Sequence, residues 1–250
     1  QSGQWNTVSI NLEEMPNPSD TMTVIVSSGG EDRIYSITVR PRFTTRSYEF
    51  DGSIDDLASD VGDEQSNGVI VEVNRTISGV ITAKNLYMKL SPTNSFSKIY
   101  DFCFIIEDQN RGVIVASKDG VNFPIGTRIE LTATEALSSW SQIKITNYST
   151  LREIQRNYPM SYRVTTEASY NSDETNRVYK TSGTITTDVT AFREGMLDNG
   201  DMFKSGDSLQ DVLREGRTGV FYGPVQLSYG DYLLLLTSGD NFIFTSENKK

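Results

Sequence analysis

Apolar and polar residues alternate one for one in short runs along most of this chain, a period that fits half-buried β-strands. Val8, Ile10 and Leu12 alternate with Thr7, Ser9 and Asn11, so one face of that segment is apolar and the other polar. Residues 22–26 and 34–39 flank Ser27-Ser28-Gly29-Gly30-Glu31-Asp32. This is a small, polar connection of the kind that joins antiparallel strands, and it predicts a hairpin. Further strands are predicted at 69–73, 80–90, 99–106, 113–117, 128–134 and 143–146, then at 162–170, 177–187, 219–222, 225–229, 232–237 and 242–245. Arg111-Gly112 and Asp119-Gly120 lie between several of them as turn signals. Strands this short and this evenly punctuated predict an all-β fold, an antiparallel sandwich or barrel.

Three short helical loop inserts are expected. Each opens on a hydroxyl residue with a carboxylate three places later that can return the backbone bond: Ser53 with Asp56, Thr150 with Glu153, and Ser208 with Asp211. Gly216 suits a left-handed cap at the end of the last. None alternates with strands as a parallel βαβ sheet requires. The 250 residues read as a single β-rich domain, 1–250, with a weaker subdivision at the polar, acidic stretch 171–176 and a long surface loop at 51–67. No repeat is visible at a solenoid or propeller period.

The chain has no histidine and one cysteine, Cys103. That removes Ser-His-Asp and Cys-His hydrolysis, histidine general-base chemistry and histidine-ligated zinc. Cys103 lies in Tyr100-Asp101-Phe102-Cys103-Phe104-Ile105-Ile106, among residues that belong inside, and a buried, inert thiol is expected. Asp51, Asp55, Asp56, Asp60, Asp63 and Glu64 supply the oxygens a calcium ion prefers, but their spacing departs from the EF-hand loop. The favoured reading is the solvated acidic face of a capped helix. The 33 Asp and Glu residues leave a carboxylate-pair glycosidase open, and nothing marks any pair. Gly29-Gly30 does not lead into a helix, the context a phosphate loop needs. No catalytic residue and no metal ligand is therefore assigned, and no cofactor is expected.

A net charge of −10 repels phosphates and anionic headgroups, so nucleic acid and membrane surfaces are set aside as partners. No apolar run approaches the ~20 residues of a membrane span. The first residue is Gln1 and no leader pattern follows it, so a processed product or an excised domain is expected. The sequons at Asn74 and Asn147 read as chance matches in a Thr- and Ser-rich chain. Aromatics gather in the last third at Phe221-Tyr222-Gly223-Pro224, Tyr229-Gly230-Asp231-Tyr232 and Phe242. They can form a sugar- or protein-binding platform, but packing at the ends of strands is the favoured reading.

An acidic, His-free, Thr- and Tyr-rich β chain with a hairpin at 22–39, many short strands and loop-rich stretches such as 216–231 resembles the projecting domains of viral capsids, most of all an astrovirus spike. The resemblance implies a homodimer on the virion surface that binds a host receptor, either protein or glycan. Phage tail and head-decoration proteins share this texture, as do secreted bacterial carbohydrate-binding modules and adhesins. The expectation is a non-enzymatic virion-surface or extracellular attachment protein. The alternatives are a secreted bacterial glycan-binding or adhesin domain and a carboxylate-dependent glycosidase.

Overall fold

The computed structural model describes residues 21–28, 31–38, 43–62, 68–139, 142–164, 175–189, 193–206, 209–228 and 231–246. The chain divides into two compact units, 1–42 and 43–250. In the first, β1 (Thr21–Ser28) and β2 (Glu31–Thr38) pair antiparallel from Thr21↔Thr38 to Ser28↔Glu31, which is the predicted hairpin. The strand predicted around Val8 to Leu12 lies outside the described residues.

The larger unit opens with the two-residue strand β3 (Phe43–Thr44) and the helix α1 (Ile54–Val61). A closed barrel follows, built from β4 (Val71–Leu90), β5 (Lys98–Glu107), β6 (Gly112–Val115), β7 (Arg128–Ser139) and β8 (Gln142–Gln155). Its strands run in the spatial order first, second, third, fifth, fourth. Every pair is antiparallel except β6 with β8. This is the five-stranded Greek-key arrangement of an OB-type barrel. Phe104, Ile106, Val113, Val115, Ile129, Leu131 and Ile145 pack together in its core. Ile54, Leu57, Ala58 and Val61 of α1, spaced as one helical face, join the same core.

After the short strands β9 (Met160–Ser161), paired with β3, and β10 (Arg163–Val164), the order is repeated. The strands are β11 (Val178–Thr184), β12 (Glu194–Met196), β13 (Met202–Ser205), β14 (Thr218–Ser228) and β15 (Asp231–Leu236). β11 pairs with β14, β14 with β15, β15 with β13 in parallel, and β13 with β12. An isolated bridge, Ile185↔Leu197, joins the two ends of that path. The succession is again first, second, third, fifth, fourth. Phe203, Phe221, Leu209, Leu213 and Leu234 fill this second core. A last strand, β16 (Phe242–Ser246), pairs with the first half of β14. The described strands therefore make an all-β architecture of two barrels. No repeat was visible in the sequence because the two barrels share connectivity and not residue identities.

Several local expectations change. The strands predicted at 69–73 and 80–90 are one, β4, which pairs with β7 along its first half and with β5 along its second. Those predicted at 219–222 and 225–229 are also one, within the stretch expected to be loop-rich. Pro224 sits where β14 leaves β11 and takes up β15, a place where a missing N–H is tolerated. The helix predicted at Thr150 is strand β8. There the Thr150 hydroxyl donates to Thr132 Oγ1 at 2.8 Å and Arg152 lies opposite Glu130, so barrel pairing overrides a local capping pattern. At Asp211, the stretch after Gly206 is a turn closed by Leu213 N–H to Leu209 O at 2.9 Å, and Ser208 lies outside the described residues. Gly216 does take positive φ, at 84°.

Candidate functional site

α1 begins where predicted, but Ser53 is left-handed and makes no side-chain cap bond. The cap comes from a distant residue. Asp108, in the turn between β5 and β6, accepts from Gly52 N and Ile54 N at 3.0 and 3.1 Å through Oδ2, and from Asn110 N and Arg111 N at 2.9 Å each through Oδ1. The acidic segment is turned outward to separate partners. Asp60 makes a two-pronged pair with Arg75 at 2.8 and 2.9 Å, Asp55 pairs with Arg111 at 3.0 Å, and Asp51 accepts from Ser53 N at 2.8 Å. The Arg75 guanidinium holds the Asp60 carboxyl below its usual range. Asp63 and Glu64 lie outside the described residues, among which no group of acidic or thiol side chains is arranged to hold a metal.

Next to Asp108, Glu107 is fully buried. It accepts from Arg163 Nη1 at 2.7 Å, Val178 N at 3.2 Å and Tyr48 OH at 3.5 Å, and Arg177 Nε lies 3.5 Å away. Burial pushes its carboxyl above the usual carboxylate range, against the pull of the Arg163 guanidinium. Through these contacts Glu107 ties β5 of the first barrel to the segment between β3 and α1, to β10 and to the start of the second barrel. Around them pack Phe43, Tyr48, Phe50, Met160 and Tyr222, with Phe43 and Tyr222 stacked at 4.2 Å. Glu107 and Asp108 are thus structural ties without solvent-facing oxygens, which is not the disposition of a hydrolytic pair.

Cys103 is buried on β5, where its Sγ donates to Tyr100 O at 3.8 Å. Burial pushes the thiol up to about 11. At pH 8 only about one molecule in a thousand carries the thiolate, so Cys103 should stay unreactive toward a disulfide reagent until the protein is unfolded in urea. Cys103→Ser should lower stability by about 1 kcal/mol, because a hydroxyl replaces a sulfur packed in the core. Rapid labelling of the native protein would contradict this placement.

Of the eight large apolar side chains exposed among the described residues, four lie on or beside the β4–β5 hairpin. Beyond the barrel, the second half of β4 and the first half of β5 continue as a two-stranded arm. Leu86 and Met88 point to the side where Tyr100, Cys103 and Leu235 of the second barrel pack. The alternate residues face the other way. There Tyr87 is 63 % exposed, Ile99 51 % and Phe102 45 %, and Phe96 in the connecting loop is 91 % exposed. A bulge creates this face. Asn85 adopts φ 57°, and the register steps from Met88↔Tyr100 to Leu86↔Cys103, leaving both Asp101 and Phe102 opposite Tyr87. Lys89 lies directly across from Ile99. The loop is fastened: Asn94 Oδ1 accepts from Ile70 N and its Nδ2 donates to Ile70 O, each at 2.9 Å, and Thr93 N donates to Gly68 O at 3.0 Å. Phe96 is held out on a bonded loop.

The described aromatics that the sequence singled out in the last third pack inward, in line with the favoured reading. Phe221 and Tyr222 are buried, Tyr232 and Phe242 are half-buried against the second core, and Tyr229 lies outside the described residues. Phe96 was signalled by standing alone among small polar residues in Ser91-Pro92-Thr93-Asn94-Ser95-Phe96-Ser97, a place where a core residue has no reason to be.

No family model matches this sequence, and no curated protein matches it either. Among solved structures, the tetrameric p202 HIN2 matches at a TM-score of 0.29 with 12 % identity, covering 71 % of this chain and 94 % of that one. A score that low carries no argument about fold or function.

Proposed function

We propose that this chain is a non-enzymatic attachment protein, displayed on a virion surface or outside a cell, that holds a receptor on the exposed face of the β4–β5 arm. The observation that carries the reading is the cluster of Tyr87, Phe96, Ile99 and Phe102, solvent-exposed on an otherwise hydrogen-bonded ribbon and loop. Large apolar side chains grouped in water mark interaction sites, and aromatic residues dominate the energetics of such contacts. Homodimerisation belongs to the same reading, and the solution mass by light scattering tests it.

Attachment is tested by binding the full chain to a panel of cultured cells. The double variant Tyr87→Ala with Phe96→Ala should lose roughly tenfold or more in binding, the equivalent of about 1.4 kcal/mol. Its melting temperature should stay within about 2 °C of wild type, because exposed side chains contribute little to the core. Unchanged binding by this variant would remove the arm as the receptor site.

A further inference from the structure

We infer that the exposed face of the β4–β5 arm takes an uncharged oligosaccharide laid along the ribbon, an inference that rests on the attachment reading above. Charge is the first ground. On a chain of net charge −10, this face carries one exposed cation, Lys89, and one exposed anion, Asp101. They cancel, and at its edge Lys118 and Asp119 do the same. A sulfated glycan, a nucleic acid or an anionic membrane would need a cationic face to offset the field of the whole molecule. A neutral ligand does not.

Size is the second ground. Aromatic side chains expose about 150–250 Å² each when free. At the exposures of Tyr87, Phe96, Ile99 and Phe102, the patch offers on the order of 500 Å². A stable dimer needs about 800 Å² from each partner, so this patch alone falls short of a second copy and suits a small extended ligand. Ile99 to Phe102 spans about 10 Å of ribbon.

Chemistry is the third. The face combines flat apolar rings with short polar groups, Asp101, Lys89 and Asn85, that accept and donate hydrogen bonds. Pyranose rings present just this pairing, with one face of C–H groups and a rim of hydroxyls. Tyr87 and Phe102 lie on the facing stretches of the bulged register and supply the flat apolar surfaces for stacking. Phe96 adds a further exposed ring on the fastened loop that joins the two strands.

The test offers the full chain to a microarray of neutral hexose and N-acetylhexosamine oligosaccharides, with a heparin hexasaccharide and an oligo-dT beside them, at about 50 and about 500 mM salt. At least one neutral oligosaccharide should bind, with affinity equal within about twofold at both salt concentrations, since no counterions are released. Tyr87→Ala should weaken it roughly tenfold without changing the melting temperature. Binding confined to heparin or oligo-dT and falling steeply with salt would overturn the inference, as would no binding to any neutral sugar. A concentration-dependent doubling of mass that Phe96→Ala abolishes would also overturn it and give the face to a second copy. Should the double variant lose cell attachment while no neutral sugar binds, the ligand class is wrong and the attachment reading stands. Sugar binding that depends on Tyr87, with cell attachment unaffected, has the reverse meaning.

Discussion

Replacing Glu107 with alanine is expected to lower unfolding stability by about 3–5 kcal/mol, a large share of what a domain possesses. The substitution removes the acceptor shared by Arg163 Nη1 at 2.7 Å and Val178 N at 3.2 Å. It also leaves the guanidinium of Arg177, 13 % exposed, without the carboxylate that lies 3.5 Å from it. Arg177 keeps its bond to Gln109 O at 2.8 Å, but a half-buried guanidinium that loses a facing carboxylate has its desolvation less well offset, which is why breaking such a pair costs more than the pair contributes. Glu107→Gln keeps one oxygen to accept from Val178 N or Arg163, so it should cost less than half as much as alanine. Urea denaturation of the three proteins at pH 7 checks the order. Equal costs for Gln and Ala would mean that the acceptor oxygen is not what matters.

Asp108→Ala comes second, at about 3 kcal/mol. Four backbone N–H groups converge on that carboxylate, and hydrogen bonds to a charged acceptor contribute about 1.5–3 kcal/mol each before water compensates those that become exposed. Gly52 and Ile54 are the donors least able to find water, because their bonds to Asp108 are buried. The loss should appear first at α1, as faster amide exchange from Leu57 to Val61 than in the barrel strands. Uniform exchange across α1 and the barrel would show that Asp108 acts on the whole fold and not on the helix start. Gly52 adds a steric limit of its own, since a Cβ there would stand 1.7 Å from the Ser78 carbonyl oxygen.

Strand identity was legible in the sequence wherever alternation was uninterrupted, as in β7 and the hairpin of β1 and β2. It failed in two physically distinct ways. The capping pattern Thr150 to Glu153 is local, and the ladder that β8 shares with β7 over fourteen residues outweighs it. Asp56 stands three places after Ser53 as a cap would ask, yet it turns to Arg75 at 3.5 Å, because Asp108 already occupies the helix start. No short-range rule reports a cap that arrives from 54 residues away. The binding face was hidden for a related reason. Two register shifts, one beside Asn85 on β4 and one at Asp101 and Phe102 on β5, reverse the phase of alternation, so Tyr87 and Phe102 read as ordinary strand aromatics when they are in fact turned to water. Phe221 and Tyr222 turn the other way. Packing was the favoured reading there, and they fill the second core and the junction from within a strand, not at its end, because β14 runs unbroken through Gly223 and Pro224.

The ties at Glu107 span 56 residues to Arg163 and 71 to Val178. Contacts so distant along the chain form only after the first barrel has closed and the first strand of the second has arrived, so they are absent from the early nucleus. Their effect should lie on the exit from the native state. Weakening them speeds unfolding while refolding proceeds at nearly its former rate. The junction between the barrels thus works as a latch, governing how long the assembled protein persists more than how quickly it is made.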